Sequence, residues 1–265
     1  MGQNFLFILF VVSFTVNSLS GQTSFVDENT GIAINFAVSD NMFPNYWYSV
    51  KINAKAVSLS VTEYKRVTVL LRKTFAKYPV HVLKENLKRI YVLNSLNFYG
   101  VPYGGTYSIS KKTVYITDDS ALIENDLFIE AFFHHEFSSI LLRKHPCYIS
   151  KKEWKSANPK DFHYGKGGRE AIMSGNSSMV FDSTLNEKGF LNKYSQSSLE
   201  EDMNVFSQNL FSGGEAFWTI VDRYDKIKAK TVLIIGFYHK IDPVFTEEYF
   251  RKLLSSPQRH GDTEQ

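Results

Sequence analysis

Residues 121–144, ALIENDLFIEAFFHHEFSSILLRK, run without a glycine or proline, and the next breaker is Pro146. Apolar side chains fall on nearly every side of a 3.6-residue repeat, so a helix here has no face to give to water. It must be central and buried, with the rest of the chain wrapped around it. Asp118, Asp119 and Ser120 in TDDS supply the residue types that cap a helix start. The 265-residue chain can build such a core: 43% of it is hydrophobic, with 22 Phe and 15 Tyr. A formal charge of +3, from scattered Lys and Arg, is too small to make nucleic acid the natural partner.

The flanking text sets the fold class. SVTEYKRVTVLLRKTFAKYP places Tyr64, Val67, Val69, Leu70, Leu71 and Phe75 at near-helical spacing, and Pro79 stops it. VHVLKENLK reads as a short second helix. RIYVLNSLNFYG and GTYSISKKTVYITD are rich in β-branched and aromatic residues and read as adjacent strands joined by GVPYGG. INFAVSD and YWYSVKI read as two further short strands. Residues 147–190 form a long loop-rich excursion with one N-x-S sequon at Asn176. SSLEEDMNVFSQNLF, GGEAFWTIVDRYDKIKAKTVLIIGFYHK and VFTEEYFRKLL supply the closing helices. The expectation is an α+β chain with an extended segment over 21–57, a main domain over 58–255 and a polar tail over 256–265.

The first twenty residues read as a secretory signal peptide. Their apolar run over residues 5–16 is short of the roughly 20 residues a membrane span needs. Export to a secreted, periplasmic or cell-envelope location is expected, with no stable membrane association after cleavage and a single-pass anchor as the alternative. Cys147 is the only cysteine, so no intramolecular disulfide forms.

The chemistry centres on FFHHEFSSILLRKH, residues 132–145. In H-E-x-x-H, histidines at i and i+4 share a helix face and bind zinc, while the glutamate takes the proton of the metal-bound water. His135 and Glu136 stand at the first-ligand and general-base places, but Ser139 stands where the second histidine belongs. A neutral hydroxyl is a poor zinc ligand. His134 points about 100° away from His135 around the helix. His145 lies roughly 15 Å further along the axis. Nothing in the sequence positions His163.

With HEF and Ile140-Leu141, then Gly189-Phe190, Tyr194 and Glu201-Asp202, the chain resembles the zinc-binding metallopeptidases of bacterial cell envelopes. More distantly it resembles the lethal-factor type of toxin peptidase. The likeness spans about residues 60–250, with specific motifs in two short windows. It implies a zincin-like fold: a small, mostly antiparallel sheet, a central buried active-site helix and a helical C-terminal half. It also implies Glu201 as a zinc ligand with His135, and Tyr194 as the hydroxyl facing a developing oxyanion, with Glu136 as base. Against this, Ser198-x-x-Glu201 is also a capping box, and Tyr194 is also an ordinary packing residue. With Ser139 only two of the family's ligands remain, so zinc is expected to bind weakly.

Three readings follow. The first is an exported metallopeptidase-like protein, weak or inactive as a peptidase, that binds a peptide or protein ligand. The second is a working zinc peptidase with an unusual ligand set. The third is an unrelated exported α+β binding protein.

Overall fold

The strand β4 (Arg89–Phe98) organises the molecule because its neighbours change halfway along its length. The structure is a computed structural model, and it describes residues 23–118 and 125–253. In chain order β4 is preceded by β1 (Ser24–Val26), β2 (Ala33–Asn35), β3 (Lys55–Ser58), α1 (Tyr64–Phe75) and α2 (Val80–Asn86). The first half of β4 pairs in parallel with β2 on one side and β7 (Thr113–Thr117) on the other. Its second half pairs antiparallel with β3 and with β5 (Val101–Tyr103). An antiparallel edge strand, β6 (Gly105–Ser108), lies outside β7, and β1 lies outside β2. The sheet is therefore mixed, parallel at its centre and antiparallel at its margins. Parallel strands are normally covered on both faces, and all five residues of β7 are buried.

Two cores result from the period-2 alternation of side chains. Ile90, Val92, Val114 and Ile116 face the helices. Tyr91, Leu93 and Tyr115 face a smaller aromatic core closed by Met42, Phe43 and Trp47. This second core explains a departure from expectation. YWYSVKI forms no strand: Asn45–Tyr48 is a 3-10 turn that drives Trp47 under the sheet, edge-on to Phe98 at 5.2 Å. GTYSISKKTVYITD likewise is not one strand but a β6–β7 hairpin, reversed where Lys112 takes φ +47°.

The central helix α3 (Asn125–Lys144) is buried as expected, with Phe133 and Phe137 fully enclosed against Phe75 and Tyr78. Asp118 meets Arg66 of α1; the other candidate caps, Asp119 and Ser120, lie outside the described residues, as do the signal segment and the polar tail. The excursion after Pro146 carries three short helices, α4 (Lys151–Ser156), α5 (Gly168–Met173) and α6 (Ser183–Asn186). A 3-10 turn, Tyr194–Gln196, leads into α7 (Leu199–Ser212), followed by α8 (Gly214–Arg223), α9 (Asp225–Ile241) and α10 (Glu247–Lys252). Among the described residues no helix is long and apolar enough to cross a membrane. The helix pair with the most extensive contact is α3 with α7, and the candidate site lies along their seam.

Candidate functional site

The start of α7 brings the site together. The Ser198 hydroxyl accepts the Glu201 backbone N–H at 3.1 Å and so caps the helix. Glu200, Glu201 and Asp202 fill the first turn, where the helix dipole favours negative charge. Capping and site formation do not compete, because the cap uses the Glu201 backbone and leaves its carboxylate free. That carboxylate turns to α3, with Oε2 2.8 Å from His135 Nε2. The other ring nitrogen of His135, Nδ1, lies 3.2 Å from Gln208 Oε1, two turns further along α7.

The pair polarises both partners. Burial works against charge on His135, but the hydrogen bond and negative charge of Glu201 outweigh it and raise the ring's pKa. Burial likewise opposes charge on Glu201, yet His135 holds its carboxyl below the ordinary range. Each partner thus favours the charged form of the other. Glu136 differs. Burial, with the charges of Glu201 and Glu200 adding to it and His135 opposing, pushes its carboxyl up to about 8. At neutral pH it is mostly a neutral acid, which is not the state a general base needs.

Tyr194 sits with its ring 5.9 Å from the His135 ring and its hydroxyl in reach of the Glu201 carboxylate. Burial first, then the charges of Glu201 and Glu136, push its pKa far up, so it is a permanent neutral donor.

One turn below His135 the seam carries a closed network. Asn204 Nδ2 donates to Ser139 Oγ at 2.7 Å, while Ser138 Oγ donates to Asn204 Oδ1. Ser139 is 1% exposed. Both ends of the amide are engaged, so Asn204 holds the serine in place and is itself held.

A catalytic zinc takes three protein donors at about 2.0–2.2 Å, and two tetrahedral ligands then stand about 3.3 Å apart. His135 Nε2 and Glu201 Oε2 are closer than this, at hydrogen-bonding distance. The third position is a serine locked to an asparagine. Among the described residues no group of three His, Cys, Asp or Glu could hold a metal ion. The residues present do not fit a catalytic zinc.

The other histidines lie elsewhere. His134 is fully buried against Tyr78 and Phe211, His145 stacks on Tyr148, and His163 is exposed on its loop. Sequence reasoning found His135, Glu136, Tyr194 and Glu201 but missed Asn204 and Gln208. Their spacing of three and seven residues after Glu201 was the available signal, since it puts all three on one face of α7.

No family model matches the chain, and no curated protein matches it. Among solved structures, a candidate zinc-binding metallo-peptidase from Bacteroides caccae is similar, with a TM-score of 0.45 and 16% identity. The match covers 71% of this chain and 75% of that one.

Proposed function

We propose that this chain is an exported, zincin-like protein of the metallopeptidase type whose site no longer holds catalytic zinc, and that it acts by binding a peptide or protein rather than by hydrolysis. The observation that carries this reading is the Ser139–Asn204 bond at 2.7 Å. It turns the second-ligand place into a buried neutral hydroxyl fixed by a hydrogen bond from Asn204, a poor donor for zinc. Glu136 supports the same reading, because a carboxyl pushed up to about 8 by burial is a poor base at neutral pH. Tyr194 then serves as a neutral hydrogen-bond donor for a ligand carbonyl, and the His135–Glu201 pair as a fixed dipole beside it.

The test is elemental analysis of the purified, exported protein together with a broad peptide-cleavage assay. Well under one zinc per chain and no cleavage are expected. A full equivalent of zinc retained through dialysis, with peptide hydrolysis lost in Glu136→Gln, would return the chain to the working peptidases.

A further inference from the structure

The excursion after Pro146 does more than connect α3 to α7: part of it lies across the site. The segment 165–175 is tied to the 3-10 turn by two backbone bonds, Gly165 N–H to Gln196 O at 3.0 Å and Gly167 N–H to Ser197 O at 2.8 Å. Gly168 then passes so close over the site that a Cβ there would stand 2.2 Å from Tyr194 Oη and 2.9 Å from Glu201 Oε1. No side chain fits at that point. The next residue, Arg169, reaches the far side and lays its guanidinium 4.4 Å above the Tyr99 ring, at the β4–β5 turn. The segment thus spans from the start of α7 to the sheet margin, and His135, the partner of Glu201, is only 2% exposed.

We infer that residues 165–175 form a strap that closes the His135–Glu201 site, latched by Arg169 on Tyr99 and opened by a swing of α5 to admit a ligand. Its construction fits that role. Gly167 has φ +110° and Gly175 φ +71°, conformations L side chains rarely adopt, so α5 is bounded by two backbone positions of glycine type. Outside them the chain is fastened. Tyr164 Oη donates to the buried Asp202 at 2.6 Å on one side, and Tyr194 N–H donates to Ser178 O at 3.1 Å on the other. Between the fastenings, the strap is held by the two glycine bonds, the Arg169 cation–π contact and the packing of one small buried side chain, Ala171. Such contacts are worth little individually, so the strap can lift while α3 and α7 stay packed. The inference rests on the reading that this face receives the ligand, but it is tested without any ligand.

The experiment is diethyl pyrocarbonate labelling of the full chain, mapped by peptide mass and followed to its high-pH plateau, so that access is read apart from ring protonation. Arg169→Ala removes the latch, and Gly168→Val wedges the strap off Tyr194 and Glu201. Arg169→Ala should raise the labelling rate of His135 about two- to fivefold, the factor set by losing one exposed cation–π contact, and Gly168→Val, which displaces the backbone itself, at least as much. The adjacent His134 is the internal control, because it is sealed in the core and reacts only when α3 itself comes apart. If His135 labels no faster in either variant, the strap is not the cover. If His134 labels in step with His135, the site opens by unfolding, and the strap is not a separate device. Unchanged zinc content across the variants leaves the binding reading untouched, so the two ideas fail separately.

Discussion

The α3–α7 pair has two faces, and consecutive residues on each helix report them. His134 and His135 are neighbours on α3, as Glu201 and Asp202 are on α7, yet their surroundings diverge. On the inward face Asp202 is sealed with Lys230 at 2.7 Å and also accepts from Trp154 and Tyr164. Lys230 is wholly buried over the rings of Phe190, Trp154 and Phe206, and donates to Gly189 O as well. His134 is held neutral between Tyr78 and Phe211. On the outward face His135 and Glu201 share a charge beneath the strap. The inward groups fasten the excursion and the core to α7, and the outward groups wait in a covered cleft. Burial alone does not separate structure from site here; what differs is whether the partners are anchors or a removable cover.

The sharpest way to break this contrast is to remove one inward partner. Lys230→Met leaves the buried Asp202 without its cation and with only neutral donors, and should cost about 3–5 kcal/mol. Urea unfolding measures it. A loss under about 1 kcal/mol would mean that the inward face tolerates rearrangement as readily as the outward one.

Acid should act next. Burial, against the opposing charge of Glu130, lowers the His134 pKa to about 4. Between pH 6.5 and about 4 the unfolded chain therefore takes up a proton that the native chain refuses, and stability falls as pH falls. The shift is worth about 3 kcal/mol over that window. Stability measured against pH should show this slope in the wild type and lose it in His134→Phe, which keeps the stack on Phe211.

The outward pair has the opposite sign. Because the folded pKa of His135 is raised, the stability that it gains from Glu201 is fully present below about pH 6.5 and is lost as pH rises through the folded value. Glu201→Gln should cost about 1.5–3 kcal/mol near pH 6, and the penalty should shrink on the alkaline side. Denaturation curves at several pH values decide it. A penalty that grows with pH would mean that the two groups are not paired as charged partners.

Much of the outward site was legible in the sequence, and the physical reason is periodicity. A breaker-free apolar run forced α3 into the centre, and HE on it placed His135 and Glu136 on known turns of that helix. SSLEED marked the start of α7, but the encounter of Glu201 with His135 was implied only by the resemblance to the zinc metallopeptidases, not by any period. The inward cluster was not legible, because Lys230 reaches Asp202 from 28 residues away and no local pattern marks a buried lysine. The strap was hidden too. A run of glycines and polar residues reads as a loop, and nothing in it tells what the loop lies on. YWYSVKI misled for a related reason: its aromatic residues suit a strand, but tertiary burial of Trp47 under the sheet decided for a turn.

The smallest expected effect is that of zinc on the wild type, and it bears most directly on the outward face. An ion entering there would have to part His135 Nε2 from Glu201 Oε2 and would find Ser139 already bonded to Asn204. With two donors and a hydrogen bond to break, the dissociation constant should be no lower than the zinc concentration. Stabilisation is then about 0.4 kcal/mol or less, barely visible in a thermal melt. Ser139→His supplies the third donor but crowds a buried seam and removes the acceptor of Asn204 Nδ2, so the variant without metal should lose roughly 1–3 kcal/mol. Added zinc should return part of that loss by binding only the folded chain. Melts of both proteins with and without zinc settle the matter. A wild type stabilised by about 4 kcal/mol, as at a thousandfold excess over the dissociation constant, would mean that a donor outside the α3–α7 seam completes the site. A variant that gains nothing would mean that the seam cannot open even when three donors are present, and the outward face would then be as fixed as the inward one.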